Sequence, residues 1–314
     1  MTSTFNLKIN NIIRISSSAC HSAFCDAIDL GDTQLACYRQ ATNHISADGR
    51  IETTLITPQG KQRQHLWFND VDLRDPKLSR LPDGRILLIA YARHTANDNK
   101  TLYGQSIFWV SQDGSSWSSP RYFGPKNWWL WRLTWHKGVA YGLAYNREKE
   151  RVDLYTGHPL RTMDCIKQGA LSKQKEGYGY PNESDIWFDK NHHMHVLLRR
   201  DADSYSSLQG KSAFPYTKWQ WNDLNKYVGG PKVIANPFNP KESWVCGRGI
   251  LKNKLKTCLW SLTNENTQLV HQLTLPSAGD NSYPGMFFKN GCLNIVYYSS
   301  HIDNQSRVYL ATLK

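Results

Sequence analysis

A strand, a tight polar turn and a second, more apolar strand recur six times along this chain, and no other feature restricts its fold as strongly. The copies are FCDAIDLGDTQLACYR (24–39), PKLSRLPDGRILLIAYAR (76–93), LWRLTWHKGVAYGLAYNR (130–147), ESDIWFDKNHHMHVLLRR (183–200), WVCGRGILKNKLKTCLWS (244–261) and YPGMFFKNGCLNIVYYSS (283–300). Each carries the signature of a β-hairpin, and helical periodicity is almost absent. The turn centres fall near Gly31, Gly84, Gly138, Asn191, Asn253 and Gly291, at spacings of 53, 54, 53, 62 and 38 residues. A period of roughly 40 to 55 residues, with about four strands per unit, is that of propeller blades. The last unit has room for little more than three strands. The N-terminal stretch LKINNIIRIS (7–16) is therefore expected to supply the fourth, beside RVYLATL (307–313). Such closure removes the sheet edges that an open stack would expose. The expected fold is all-β, a six-bladed β-propeller occupying residues 1–314 as one domain, with no linker or low-complexity segment.

With 314 residues, 40% of them hydrophobic and 12% aromatic, the chain can fill a core of that size, and its net charge of +12 favours an anionic partner. That partner could be nucleic acid, a membrane surface or an acidic glycan, or the chain could simply be basic. The basic residues form no run, no basic amphipathic helix is visible, and no nucleic-acid-binding motif occurs, so nucleic acid ranks last. Seven cysteines, an odd number without a CxxC pair, read as reduced core residues in a reducing compartment. The N-terminus lacks a basic segment followed by an apolar one, and no apolar run reaches the roughly 18 residues needed to span a membrane. A cytoplasmic monomer with no membrane association and no cofactor is expected. His192, His193 and His195 attract attention as ligands, but no third ligand or carboxylate is evident beside them. They read as turn surface and inter-blade packing, and no metal site is assigned.

The segment SQDGSSW (Ser111 to Trp117) resembles the Asp box of the sialidase superfamily, one residue shorter than its usual S-x-D-x-G-x-x-W form. Its physical role is structural: the carboxylate accepts turn N–H groups, the glycine takes positive φ and the tryptophan packs between strands. The placement of polar residues around the hairpins is similar to that family as well. Glu183 opens one hairpin and Arg199 follows sixteen positions later; Arg248 in SWVCGRGIL and Tyr283 in NSYPGMFF match the next two motifs. The resemblance implies a six-bladed propeller and an exo-acting glycosidase on a terminal acidic sugar. In it Tyr283 would be the nucleophile, Glu183 its base, and Arg199 and Arg248 the carboxylate clamp. Two departures stand out. The stretch HSAFCDAI (21–28) lacks the first-blade arginine, and His44 occupies the place of the acid/base aspartate. With Arg39, His44 and Asp48 followed by DLRDPKLS (72–79), the chain resembles a divergent sialidase-like group.

The chemistry favours these residue types. Two arginines can grip a carboxylate in bidentate fashion. A carboxylate nucleophile would be repelled by that same anion, whereas a neutral tyrosine activated by a carboxylate is not; sialidases are a known exception of this kind among glycosidases. His44 suits a general acid/base working near neutrality. Arg39, Arg74 and Asp75 are further candidates at the first two blades, as substrate ligands and, for Asp75, a catalytic carboxylate. Trp129 in NWWLWRLTW offers a sugar-binding indole. Each has a structural alternative: a buried ion pair, a strand cap or inter-blade packing. Two other functions remain open, a polysaccharide lyase that uses His44 and Tyr283 on uronates, and a non-catalytic glycan-binding propeller.

Overall fold

The structure, a computed structural model, describes residues 7–18, 20–96, 100–201, 206–263 and 268–314. Six antiparallel meander sheets make up a β-propeller. Their innermost strands are His21–Asp29, Val71–Arg80, the split pair Trp129–Leu130 and Thr134–His136, Tyr180–Phe188, Gly229–Ala235 and Ser282–Lys289. We number the blades 1 to 6 in that order. The N-terminal strand Ile9–Arg14 pairs with the C-terminal strand Arg307–Leu313 and forms the outer edge of blade 6, as the short last repeat required. No helix among the described residues is long and apolar enough to cross a membrane.

Five of the six expected hairpins are the two inner strands of a blade. The one at 244–261 is not: it joins the second and third strands of blade 5, Glu242–Leu251 and Lys254–Thr263. The inner strand there is GGPKVIA (229–235), whose Gly-Gly-Pro opening reads as a turn rather than a strand. This one-strand slip accounts for the irregular spacings of 62 and 38 residues. In the SQDGSSW turn, Asp113 accepts the Ser115 N–H at 2.8 Å, Gly114 has φ 82°, and Trp117 donates to Thr53 of blade 1. Four of the seven cysteines are buried, but Cys165 is exposed and so departs from the expected core role.

Every inner strand carries one extra residue at the same height. In blade 1, Ala23 pairs with Arg39 and Asp26 with Cys37, so three steps on the inner strand face two on its neighbour. The same β-bulge falls between Arg74 and Lys77, Pro181 and Ser184, Gly229 and Lys232, and Ser282 and Gly285. In blade 3 the break between Leu130 and Thr134 plays that part. Phe24, Asp75 and Tyr283 sit in the bulges with φ of 56°, 48° and 47°. Such backbone costs on the order of 1–3 kcal/mol per residue and persists where surrounding structure enforces it. Beneath the bulges lies a buried ionic lattice. Arg132 Nη1 is 2.6 Å from Asp26 Oδ2 and its Nε 3.5 Å from Asp185 Oδ1, while Lys232 Nζ is 3.2 Å from Asp185 Oδ2. The two carboxylates also accept the backbone N–H groups of Leu78 and Val233 from the next blade, so the lattice ties neighbouring blades around the axis.

Candidate active site

The bulges place Glu183 and Tyr283 side by side although 100 residues separate them. Tyr283 Oη donates to Glu183 Oε1 at 2.7 Å, Arg199 Nη1 donates to the same oxygen at 2.6 Å, and Arg199 Nη1 lies 2.9 Å from Tyr283 Oη. Glu183 Oε2 accepts the Gly230 N–H at 2.7 Å. Gly230 has φ 56°, and a Cβ there would lie 2.7 Å from Tyr283 Cγ, so only glycine leaves room for the phenol ring. The ring is further walled by Phe24 at 5.2 Å and Trp131 at 5.8 Å, both edge-on. Burial, reinforced by the Glu183 charge, keeps the Tyr283 phenol well above its usual range, so it is a neutral hydroxyl whose proton points at a carboxylate. Burial works against the Arg199 charge, but Glu183 outweighs it and holds the guanidinium firmly protonated.

Arg248 closes the other side, its Cζ 5.0 Å from the Tyr283 ring centre. Nε donates to the Asn281 carbonyl at 2.9 Å, and Nη2 donates to Asp280 Oδ1 and to Tyr298 Oη; Nη1 has no protein partner among the described residues. Asp280 then reaches the first blade: its Oδ2 accepts from His44 Nδ1 at 2.6 Å. Burial pushes the Asp280 carboxyl up, but the His44 hydrogen bond and the Arg248 charge prevail and hold it below its usual range. His44 is thus fixed through Nδ1, and its Nε2 is left for a ligand, at the rim beside Phe24 (5.0 Å).

The loop that carries His44 is held from below. Asp72, fully buried, is bonded by three arginines: Arg39, Arg74 and Arg93, at 2.9, 2.6 and 2.8 Å. The same guanidiniums donate to the carbonyls of Asn43, His44, Ile45 and Ser46. Gly49 is required here, because any Cβ would collide with Asp72 and Arg39.

The structure brings Glu183, Arg199, Tyr283 and Arg248 into one contact group and joins His44 to it through Asp280. Asp75 sits in the blade 2 bulge; it is 6% exposed, and its buried Oδ1 has no partner among the described residues. Burial, opposed by Lys77 and reinforced by Glu183, pushes its carboxyl from 3.8 up to about 6. The fold accommodates the protonated form, so this contribution is intact below pH 3.8, declines as pH rises and is lost above about 6. Asp75→Asn is therefore expected to stabilise the protein at pH 8 by about 2–3 kcal/mol in denaturant melts, with no gain at pH 3.5; equal effects at both would show that burial of the charge is not the cost.

Arg39, expected at the substrate, is instead fully buried with its donors taken by Asp72 and the two loop carbonyls. Its part is to hold the loop. Arg74 is mostly buried but borders a groove between blades 2 and 3. Trp129 borders that groove too, with Tyr91 stacked on it at 4.1 Å and Tyr145 near-parallel at 5.6 Å, so part of its ring surface is taken up by aromatic packing. His193 and His195 lie at the opposite end of the blade, where both bond Asp189 Oδ2 at 3.0 Å; a carboxylate does adjoin them, contrary to expectation. His192 packs against His136. Sequence reasoning missed Asp280, Tyr298, Asp72 and Arg93. Among the described residues the group that could hold a metal is His21, His44 and Asp280, with ligand atoms within 4.8 Å of one another. Arg248 already neutralises that carboxylate, which favours a hydrogen-bonded His–Asp pair over a cation site.

No family model and no curated protein matches the chain. Solved structures do. It is similar over 98% of its length to 99% of a protein of unknown function from Dyadobacter fermentans (TM-score 0.82, 14% identity). It also resembles, over 98% of each chain, a Penicillium chrysogenum α-L-arabinanase complexed with arabinobiose (0.72, 13%). A third match covers 97% of this chain and 70% of the NanB sialidase of Streptococcus pneumoniae (0.69, 11%). At these identities the shared property is the fold.

Proposed function

We propose that this propeller is a glycoside hydrolase that releases a terminal acidic sugar from an anionic glycan. The observation that carries this is the Tyr283–Glu183 hydrogen bond of 2.7 Å, bridged by Arg199 and capped by Arg248 at the axis. The glycosidases among its structural neighbours support a carbohydrate substrate. In the first step Tyr283 Oη bonds to the anomeric carbon as its proton passes to Glu183 Oε1. The glycosidic C–O bond breaks, and the leaving oxygen takes a proton from His44 Nε2. In the second step His44 takes a proton from water, the water oxygen bonds to the anomeric carbon, and Tyr283 leaves with the proton held by Glu183. Arg248 Nη1 and Arg199 hold the sugar carboxylate near that carbon. Asp280 orients His44, and buried Asp75 adds a carboxyl beside Glu183.

Fluorophore release from methylumbelliferyl sialoside and glucuronide tests the proposal. Turnover of either with a saturated product supports it. An unsaturated, ultraviolet-absorbing product would mean a lyase, and binding without any turnover a glycan-binding module. His44→Ala is expected to lower kcat roughly 100- to 1,000-fold on a natural glycoside, and much less on an aryl glycoside whose leaving group needs no proton. An unchanged kcat–pH profile in that variant would remove His44 from the mechanism.

A further inference from the structure

Beside the axial site, between blades 2 and 3, runs a groove of about 330 Å³ that the proposed mechanism does not use. That volume falls at the lower end of the range for small-ligand sites, enough for one sugar unit. Arg74, Arg93 and Arg147 line it, with Asn146, Tyr145 and Trp129. Glu148 contributes a carboxylate. Asp72 is shared among three guanidiniums, Arg39, Arg74 and Arg93, so positive charge remains in excess. Arg147 is exposed, its Cζ 5.6 Å from the Tyr180 ring centre. The groove's wall packs towards the centre: the Trp129 ring centre lies 6.2 Å from that of buried Trp131, which lies 5.8 Å from that of Tyr283. Its wall also touches the His44 loop, where Arg74 donates to the His44 carbonyl at 3.3 Å.

The lining selects a type of ligand. Guanidinium forks match carboxylates. A nucleobase would need an open aromatic face, but the groove's rings are stacked on one another, Tyr91 on Trp129 at 4.1 Å and Tyr145 near-parallel to Trp129 at 5.6 Å. We propose that this groove is a second subsite, which takes a carboxylate-bearing sugar adjacent to the one held at Tyr283, so that chains with consecutive acidic units are preferred. The proposal rests on the functional reading above.

The test is calorimetric binding to the Tyr283→Phe protein of sialic acid and α2,8-disialic acid, and in parallel of galacturonic acid and digalacturonic acid. One of the two disaccharides is expected to bind at least about tenfold more tightly than its monosaccharide, which also identifies the source of the carboxylate. Arg147→Glu should reduce that ratio to near one. Equal affinity of both disaccharides and their monosaccharides, or equal weakening of the pair by Arg147→Glu, would overturn the subsite. A disaccharide preference in the variant, with no glycoside turned over by the wild-type protein, would leave the subsite standing and defeat the hydrolase. Turnover of aryl glycosides without a disaccharide preference would do the reverse.

Discussion

Tyr283→Phe is expected to cut turnover of an acidic glycoside roughly a thousandfold or more while leaving its affinity nearly unchanged. The variant keeps the ring, its seat on Gly230 and its contacts with Phe24 and Trp131. It also keeps the bond between Arg199 Nη1 and Glu183 Oε1, so no buried charge is stranded. The stability loss should therefore be near that of one hydrogen bond, about 1 kcal/mol. Turnover and binding measured on the same preparation check this. Wild-type kcat in Tyr283→Phe would remove the phenol as nucleophile.

Arg199→Ala should do the opposite kind of damage. Glu183 is almost buried and relies on that guanidinium for charge compensation. Removing one partner of such a pair costs about 3–5 kcal/mol, and the loss should appear in the denaturation midpoint. KM for acidic substrates should rise steeply as well, because half of the carboxylate clamp is gone. Glu183→Gln in the same background should restore most of the stability but none of the activity, a coupling that a double-mutant cycle measures. A midpoint unchanged in Arg199→Ala would mean that the pair is weak and that Glu183 is solvated.

The Glu183–Arg199 pair was legible in the sequence because one hairpin carries both. The register that pairs Ser184 with Leu198 also sets position 183 opposite 199 across the bulge. Tyr283 was singled out only through its resemblance to the tyrosine that precedes an apolar hairpin in sialidases, since nothing local sets it apart from a packing tyrosine. Asp280 was not, since its partner His44 is 236 residues away and nothing local marks a loop aspartate. Arg39 looked like a ligand because a lone arginine at a strand end gives no sign of burial; only the fold shows Asp72 and the loop carbonyls around it. Blade 5 was misplaced by one strand for a related reason. Gly229, Gly230 and Pro231 have the composition of a turn, yet they form the bulged start of an inner strand where Tyr283 and Glu183 must approach closely. The residues that most defy local propensity are thus those the axial site requires.

The most direct measurement is covalent trapping. A fluorinated acidic glycosyl fluoride, in sialic and glucuronic forms, slows breakdown of a glycosyl-enzyme, and peptide mass spectrometry then locates the label. The expected result is one sugar per chain on the peptide containing Tyr283, lost in Tyr283→Phe. Label on another residue, or steady turnover of the parent sugar with no label on Tyr283, would contradict the mechanism.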